Sequence, residues 1–511
     1  MTGPVTNLPD SASGEPELEV AAKRLDDSLV RGVAWTAGVK WLSQLMTWPA
    51  TVIVARILSP DDYGLVAMGS VYVAFVQIVN EFGLGTAIVN KRSLSEDQIA
   101  QIYGLSMLFG CAAFALSAAL AYPLALFNRT PAVQLIVMAL SVNFFITSFR
   151  SVPMALLARD FEFRRSAINE GLGAIVQTVG LVLLAYLGFR HWALVAGFLL
   201  ANLTTSALAC VQRPHRMAWP RMPDIREAVV FGSHQMGSRI GWYLYTYADF
   251  FVIGRVLGQG AVGSYSWGWS FASVPVEKVT SLVGKVAPPI FSAVQDDFPS
   301  LRRYLSRLAG GVALLSFPAG VGLALVAGDF VPVVLGHKWL NATRPLQILA
   351  FFAAFRALVP TIVQAGTAVG LVRSVMRNQI MCAIVLPVAF LIGTHWGTPG
   401  VATAWIIVYP LLTLPLFFAV FRRIEMRVGE YASALWPAMS STLVMVPVVL
   451  LVQMELDPAT RGFVRLVVEV LAGMIAYAAA LFLLHRSEVR SMVQVVRGSM
   501  PGTRARAAAN A

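Results

Sequence analysis

Charge is scarce in this sequence. Only 13% of its 511 residues are Asp, Glu, Lys or Arg, while 57% are hydrophobic. Soluble domains carry about 25% charged residues, so the shortage excludes a large soluble enzyme and points to a polytopic membrane protein. Cysteine is scarcer still. Cys111, Cys210 and Cys382 each stand alone inside an apolar run, which leaves no disulfide framework and no thiolate metal spacing. The six histidines are scattered, and no metal site is expected from them. There is no Walker A loop, no G-x-S-x-G and no His/Asp/Glu cluster at metal spacing. The chain therefore reads as no enzyme, with no cofactor, and any transport is not driven by ATP bound to it. The first thirty residues lack an apolar h-region, so no cleaved signal peptide is expected and this tail is expected to stay in the cytoplasm.

Long apolar runs are what the sequence has instead. A bilayer span takes about 20 such residues. By that measure helices are expected near 32–57, 64–89, 99–122, 131–156, 167–188 and 191–212, then, after a polar break at 213–228, near 230–257, 263–291, 305–327, 344–368, 377–394 and 399–421. Two more are expected near 432–453 and 462–485. The expected fold is all-α and integral to the membrane, with about 14 transmembrane helices. Its parts are an N-terminal tail at 1–28, a six-helix N-lobe at 29–212, a linker at 213–228, a six-helix C-lobe at 229–425, two extra helices at 426–485 and a basic tail at 486–511. The connectors carry turn chemistry, as in Ser59-Pro60-Asp61-Asp62-Tyr63-Gly64, with two acids expected in solvent.

The two lobes are expected because one stretch occurs twice. A constant shift of 199 residues maps Gly38 onto Gly237, Lys40 onto Arg239, Arg56 onto Arg255 and Gly64 onto Gly263, without a gap. A second echo links Phe144-Phe145, Phe149-Arg150 and Pro153 to Phe351-Phe352, Phe355-Arg356 and Pro360. Such internal similarity is the mark of repeated halves. Basic residues give the orientation. Alternate connectors and tails, from Lys23 to the segment after Arg486, hold 25 Lys and Arg, and the other connectors hold eight. The positive-inside rule places the richer set in the cytoplasm, so both termini and the 213–228 linker are expected there. An even number of helices per lobe relates the lobes by a pseudo-two-fold axis along the membrane normal. The net charge of +12 is absorbed by this positional bias, and no nucleic-acid partner is expected.

Six of the 39 Lys and Arg fall inside apolar helices: Lys40, Arg150, Arg239, Lys278, Lys285 and Arg356. A lone charge at membrane depth is expensive and usually faces a cavity or a partner. Arg150 and Lys285 lie near enough to the expected cytoplasmic face to snorkel. Acids at depth are fewer, with Glu81, Asp249 and Glu277 the clear cases. The plainer reading, in which these acids pair with the cations and lock helices together, leaves positive charge in excess. An interior of that sign suits an anionic substrate. Lys278, Ser281 and Lys285 share one helical face, and Gln77, Asn80 and Glu81 form a shorter polar stripe. Lys40 and Arg56 are about 24 Å apart along their helix and cannot grip one small group together. Glu81 and Asp249 are the candidate titrating groups if transport is coupled to an ion or to the membrane potential.

Several motifs, in this order and spacing, resemble the Wzx-type polysaccharide flippases of the multidrug/oligosaccharidyl-lipid/polysaccharide exporter superfamily. They are Ala55-Arg56-Ile57-Leu58-Ser59-Pro60-Asp61-Asp62-Tyr63-Gly64, Glu81-Phe82-Gly83-Leu84-Gly85-Thr86-Ala87, Arg159-Asp160-Phe161-Glu162-Phe163, Gly188-Phe189-Arg190-His191-Trp192-Ala193-Leu194 and Ile253-Gly254-Arg255-Val256-Leu257-Gly258. The resemblance covers roughly residues 28–425. It implies a central cavity lined by the first, second, seventh and eighth helices, on which Lys40, Glu81, Arg239, Lys278 and Lys285 fall. It also implies a substrate, an undecaprenyl-diphosphate-linked oligosaccharide flipped between leaflets of the bacterial inner membrane. Membrane lipids and a polysaccharide polymerase or export machinery are the other expected partners. Competing readings are a flippase for lipid II, a drug exporter of the same superfamily, and a non-transporting scaffold for a polymerase. The cation excess argues against the drug exporter.

Overall fold

The computed structural model describes residues 41–226 and 245–486, apart from 82–83, 92 and 457–461, with a few isolated positions nearby. Lys40 and Arg239 lie outside the described residues, as do both tails, and the side chains of Glu81 and Lys285 are not described. The described residues are mostly helical, with no strand among them. They form α1 (41–57), α2 (Pro60–Glu81), α3 (Leu84–Asn90), α4 (Glu96–Asn128), α5 (Ala132–Arg159), α6 (Phe163–Tyr186), α7 (His191–Gln212), α8 (Ala248–Leu257) and α9 (Gln259–Ala293). After these come α10 (Phe298–Phe330), α11 (Thr343–Arg356), α12 (Val359–Ala368), α13 (Val372–Gly393), α14 (Gly397–Arg423), α15 (Val428–Glu455) and α16 (Gly462–Leu484). Nine helical stretches among the described residues are long and apolar enough to cross a membrane. Large apolar side chains cover their outer faces. Ile380, Ile384, Val388 and Leu391 make one such exposed stripe on α13, a pattern that hydrocarbon tolerates and water does not.

Several helices begin earlier than hydropathy suggests, because polar caps extend them. Ser59 and Asp62 form a reciprocal box before α2: Ser59 N and Oγ donate to Asp62 Oδ2 at 3.1 and 2.7 Å. The expected turn with two solvated acids is thus a helix start, with Pro60 at the first position and Asp62 buried. Ser95 and Gln98 repeat the device before α4, with Ser95 N donating to Gln98 Oε1 at 2.9 Å. Asp297 caps α10 by accepting from Ser300 N at 3.2 Å. Hydrogen bonding from Ser300 holds the Asp297 carboxyl below the usual carboxylate range.

The described residues cluster into two compact units. The first draws on residues up to 57, on Tyr72–Tyr122 and on residues within 135–238. Its core joins Leu84, Ile88, Ile99, Ile102, Val152 and Leu156 to Ile225. Ile225 arrives on a segment that lies along the first turns of α4. Ala218 N donates to Ala100 O at 3.0 Å, Arg221 N to Gln101 Oε1 at 2.9 Å and Gln101 Nε2 to Asp224 Oδ2 at 3.0 Å, while Arg216 pairs with Asp97. Gly104 permits this approach, since a Cβ there would overlap the Ala218 carbonyl oxygen. Gly104→Val is therefore expected to lift the segment. Overpacking of this kind costs about 1–3 kcal/mol, and the expected result is a lower melting temperature in detergent with faster hydrogen exchange at 218–226. Unchanged exchange there would remove Gly104 from this role.

The second unit contains Leu58–Val71, Pro123–Gln134 and the described residues after 239. Here the starts of α2 and α9 cross. A Cβ at Gly64 would overlap Gln259 O, and one at Gly263 would overlap Pro60 O. The same shift of 199 residues relates both pairs. In this unit α15 and α16 pack on α10 and on each other. Arg465 Nε lies 3.2 Å from Glu469 Oε1 and 3.4 Å from Asp329 Oδ2, tying α16 to α10. Glu469 is fully buried, so this carboxylate in an apolar helix has a cationic partner.

Candidate functional site

Asp249 opens α8 and is completely buried. Its Oδ1 accepts from Phe250 N at 2.9 Å, and its Oδ2 accepts from Tyr265 Oη at 2.6 Å and from Trp405 Nε1 at 3.0 Å. Tyr265 belongs to α9 and Trp405 to α14, so one carboxylate joins three helices. Buried Tyr and Trp seek an acceptor for their polar tips, and a buried carboxylate needs donors. The ion pairing considered for this acid is absent among the described residues; neutral aromatic donors take its place.

Trp405 also stands in a ring cluster. Its centroid lies 5.4 Å from Trp269, 5.5 Å from Phe352, 5.1 Å from Phe390 and 5.5 Å from Tyr409. On the Trp269 flank lies Arg356, at the end of α11. Its guanidinium carbon is 4.7 Å from the Trp269 ring centroid, and its Nη2 donates to Ser273 Oγ at 2.9 Å. Asp249 and Arg356 thus attach to the same aromatic cluster, with no ion pair between them among the described residues. Arg356 is held by a hydroxyl and a π-face, and neither neutralises its charge.

The other expected site residues are placed as follows. Gln77 Nε2 and Asn80 Nδ2 both reach Thr147 Oγ1 on α5, at 3.3 and 3.4 Å, so this stripe is engaged within the first unit. Arg150 on α5 is half-buried. Lys278 and Ser281 are exposed on α9, and Ser281 Oγ donates to the Lys278 carbonyl at 2.9 Å. Lys285 continues along the same helix. Sequence reasoning missed Tyr265, Trp405, Ser273 and Trp269. The available signal was an indole in the middle of an apolar run, which must find an acceptor. No group of three or more His, Cys, Asp and Glu suited to a metal occurs among the described residues.

Apolar helices long enough to cross a membrane, packed around buried charge, define a multi-pass membrane protein, and the relatives it matches include transport proteins. A family model described as "Polysaccharide biosynthesis protein" matches residues 53–344. The chain belongs to this family, and the Wzx-type resemblance carried by its motifs holds. It is similar to the succinoglycan biosynthesis transport protein ExoT of Rhizobium meliloti (strain 1021), 26% identical over 93% of this chain and 97% of that one. It is also similar to the lipopolysaccharide biosynthesis protein WzxC of Escherichia coli (strain K12), 24% identical over 81% of this chain and 85% of that one. The fold is similar to that of the lipid II flippase MurJ in an inward closed conformation, with a TM-score of 0.69, 15% identity, and coverage of 89% of this chain and 99% of that one.

Proposed function

We propose that the protein flips an undecaprenyl-diphosphate-linked oligosaccharide repeat unit across the bacterial inner membrane by alternating access of a cationic cavity. The observation that carries this reading is Arg356, a cation in an apolar helix whose contacts among the described residues are the Ser273 Oγ and the Trp269 face, with no carboxylate at ion-pair distance among them. Positive charge at membrane depth that makes no ion pair becomes more tolerable where an anion visits, and a diphosphate carries the charge to match. Lys40, Arg239, Lys278, Lys285 and Arg150 are the further cations assigned to this task, with Gln77, Asn80 and Ser281 as polar groups of the cavity. The arrangement proposed is fourteen transmembrane helices, with lobes at 29–212 and 229–425 joined by a cytoplasmic linker at 213–228. The pair at 426–485 is added to the second lobe, and both termini are cytoplasmic. The crossing of Gly64 with Gly263 supports the two-fold relation, because partners related by the 199-residue shift meet each other.

Asp249 and Glu81 remain the groups assigned to coupling. For Asp249 this role requires that its bonds to Tyr265 and Trp405 loosen during the cycle, so coupling through it moves α8 against α9 and α14. The test is reconstitution. Vesicles holding the full-length protein are expected to move a lipid-linked repeat unit between leaflets faster than protein-free vesicles. Movement of lipid II in place of the repeat unit would make the protein a peptidoglycan-precursor flippase. Movement of neither would leave the scaffold reading.

A further inference from the structure

A cleft of about 620 Å³ opens at the C-terminal end of α14, in the second unit. Its walls are Phe298 from the start of α10, Leu371 from the turn before α13, and Pro415, Phe418, Ala419, Arg422, Arg423 and Glu425 from the end of α14 and just beyond. The chemistry is graded along one helical face. Leu411, Pro415, Phe418 and Arg422 follow at spacings of four, three and four residues and share one side of α14. Leu411 and Phe418 are 64% and 55% exposed, as large apolar residues are where a helix meets lipid. Arg422 continues that stripe where the apolar run ends. It has no hydrogen-bond or ionic partner among the described residues.

The second guanidinium is already ordered. Arg423 lies 5.2 Å over the Phe298 ring, a contact that fixes its plane and leaves its N–H edges to bond elsewhere. Arg302 adds a third cation beside the cleft, where its Nη1 donates to the Glu425 carbonyl at 2.6 Å. That bond also holds Glu425 in a left-handed conformation, with φ 55. The Glu425 carboxylate opposes an anion, but two arginines in the lining and one beside it outweigh a single acid.

We propose that this cleft binds one anionic phospholipid, with the phosphate on Arg422 and Arg423 and an acyl chain along Phe418, Pro415 and Leu411. Basic pockets where helices leave the membrane take lipid headgroups by charge and by burial of the chain. Guanidinium suits phosphate because it offers paired, planar donors. The site lies at a helix end, and the proposal stands whether or not the protein flips a lipid-linked sugar.

The probe is phosphatidylglycerol, added to the delipidated full-length protein and followed by native mass spectrometry, with phosphatidylethanolamine in a parallel sample. The unaltered protein is expected to retain one phosphatidylglycerol. The R422Q/R423Q variant is expected to retain it about tenfold more weakly, and Phe418→Ser is expected to weaken retention as well. These side chains are exposed, and an unchanged melting temperature without lipid shows that the variants are folded. Equal retention by the unaltered protein and R422Q/R423Q overturns the proposal. So does equal retention of phosphatidylethanolamine, which would place the ammonium on Glu425. Full displacement of the lipid by inorganic phosphate would reduce the cleft to a free-phosphate site and overturns it too.

Discussion

Cells that depend on a Lys40→Glu, Arg239→Glu double variant are expected to lack the surface polymer and to hold undecaprenyl-diphosphate-linked repeat units on the cytoplasmic leaflet. The two positions are equivalent under the 199-residue shift, so a pseudo-two-fold axis would set them on opposite walls of one cavity. A diphosphate between them gains charge-assisted hydrogen bonds from both sides, which are stronger than neutral ones. Reversing both charges replaces attraction with repulsion and leaves the substrate's anion without a partner. Losing one partner of a buried charge pair costs about 3–5 kcal/mol, so flipping is expected to fall by more than about 100-fold. Lys40→Arg keeps the charge and is expected to retain much of the activity. The measurement is lipid-linked oligosaccharide by leaflet, alongside the membrane abundance of each variant. Normal polymer export from a well-expressed double variant would leave these residues as helix-packing charges.

Much of the fold is legible in the sequence because hydropathy and membrane thickness act on every residue of a span. Helix α7 occupies His191–Gln212, the expected 191–212, and α14 runs two residues further than expected at each end, over Gly397–Arg423. The differences have a local cause. Ser59 with Asp62 and Ser95 with Gln98 carry α2 and α4 outward by three or four residues, and a hydropathy window discounts such polar turns. Pro123 is the converse case. It lies inside α4, although a proline after an apolar run reads as a boundary.

The candidate site was legible only in its charges. Asp249 and Arg356 stand out in apolar runs, but their partners are Tyr265, Trp405, Ser273 and Trp269. Those residues blend into an aromatic-rich sequence, and Trp405 lies 156 positions from Asp249. Counting acids against cations assumes that charges answer charges. In a helix bundle, aromatic N–H and O–H groups satisfy a carboxylate just as completely, and this leaves Arg356 without an ion-pair contact to Asp249 among the described residues. Lys278 is different. Its charge was equally visible, and its side chain is exposed on α9.

The crossing of α2 and α9 carries the other large expectation. An engineered disulfide between Asp61→Cys and Gly260→Cys is expected to arrest flipping on oxidation and to release it on reduction. A Cβ at Gly260 would lie 3.7 Å from the Asp61 Cγ and 2.8 Å from its Oδ1, so the two positions face each other closely enough to test a disulfide, whose Cβ atoms sit about 3.5–4.5 Å apart. Cys111, Cys210 and Cys382 are replaced beforehand so that only the new pair can oxidise. The reason to expect arrest is the fit one turn away. Gly64 and Gly263 let the two helix starts meet backbone to backbone, and a side chain at either would overlap a carbonyl oxygen of the other helix. Such an interface is either closed or parted, since packed surfaces have discrete arrangements and do not deform smoothly. Alternating access by the proposed route requires it to part on the side away from the basic connectors. The oxidised protein holds it closed, so polymer export falls to the level of the deletion and returns with reductant. Full flipping by the oxidised, cross-linked protein would mean that the crossing is a permanent joint and that access to the cavity opens elsewhere.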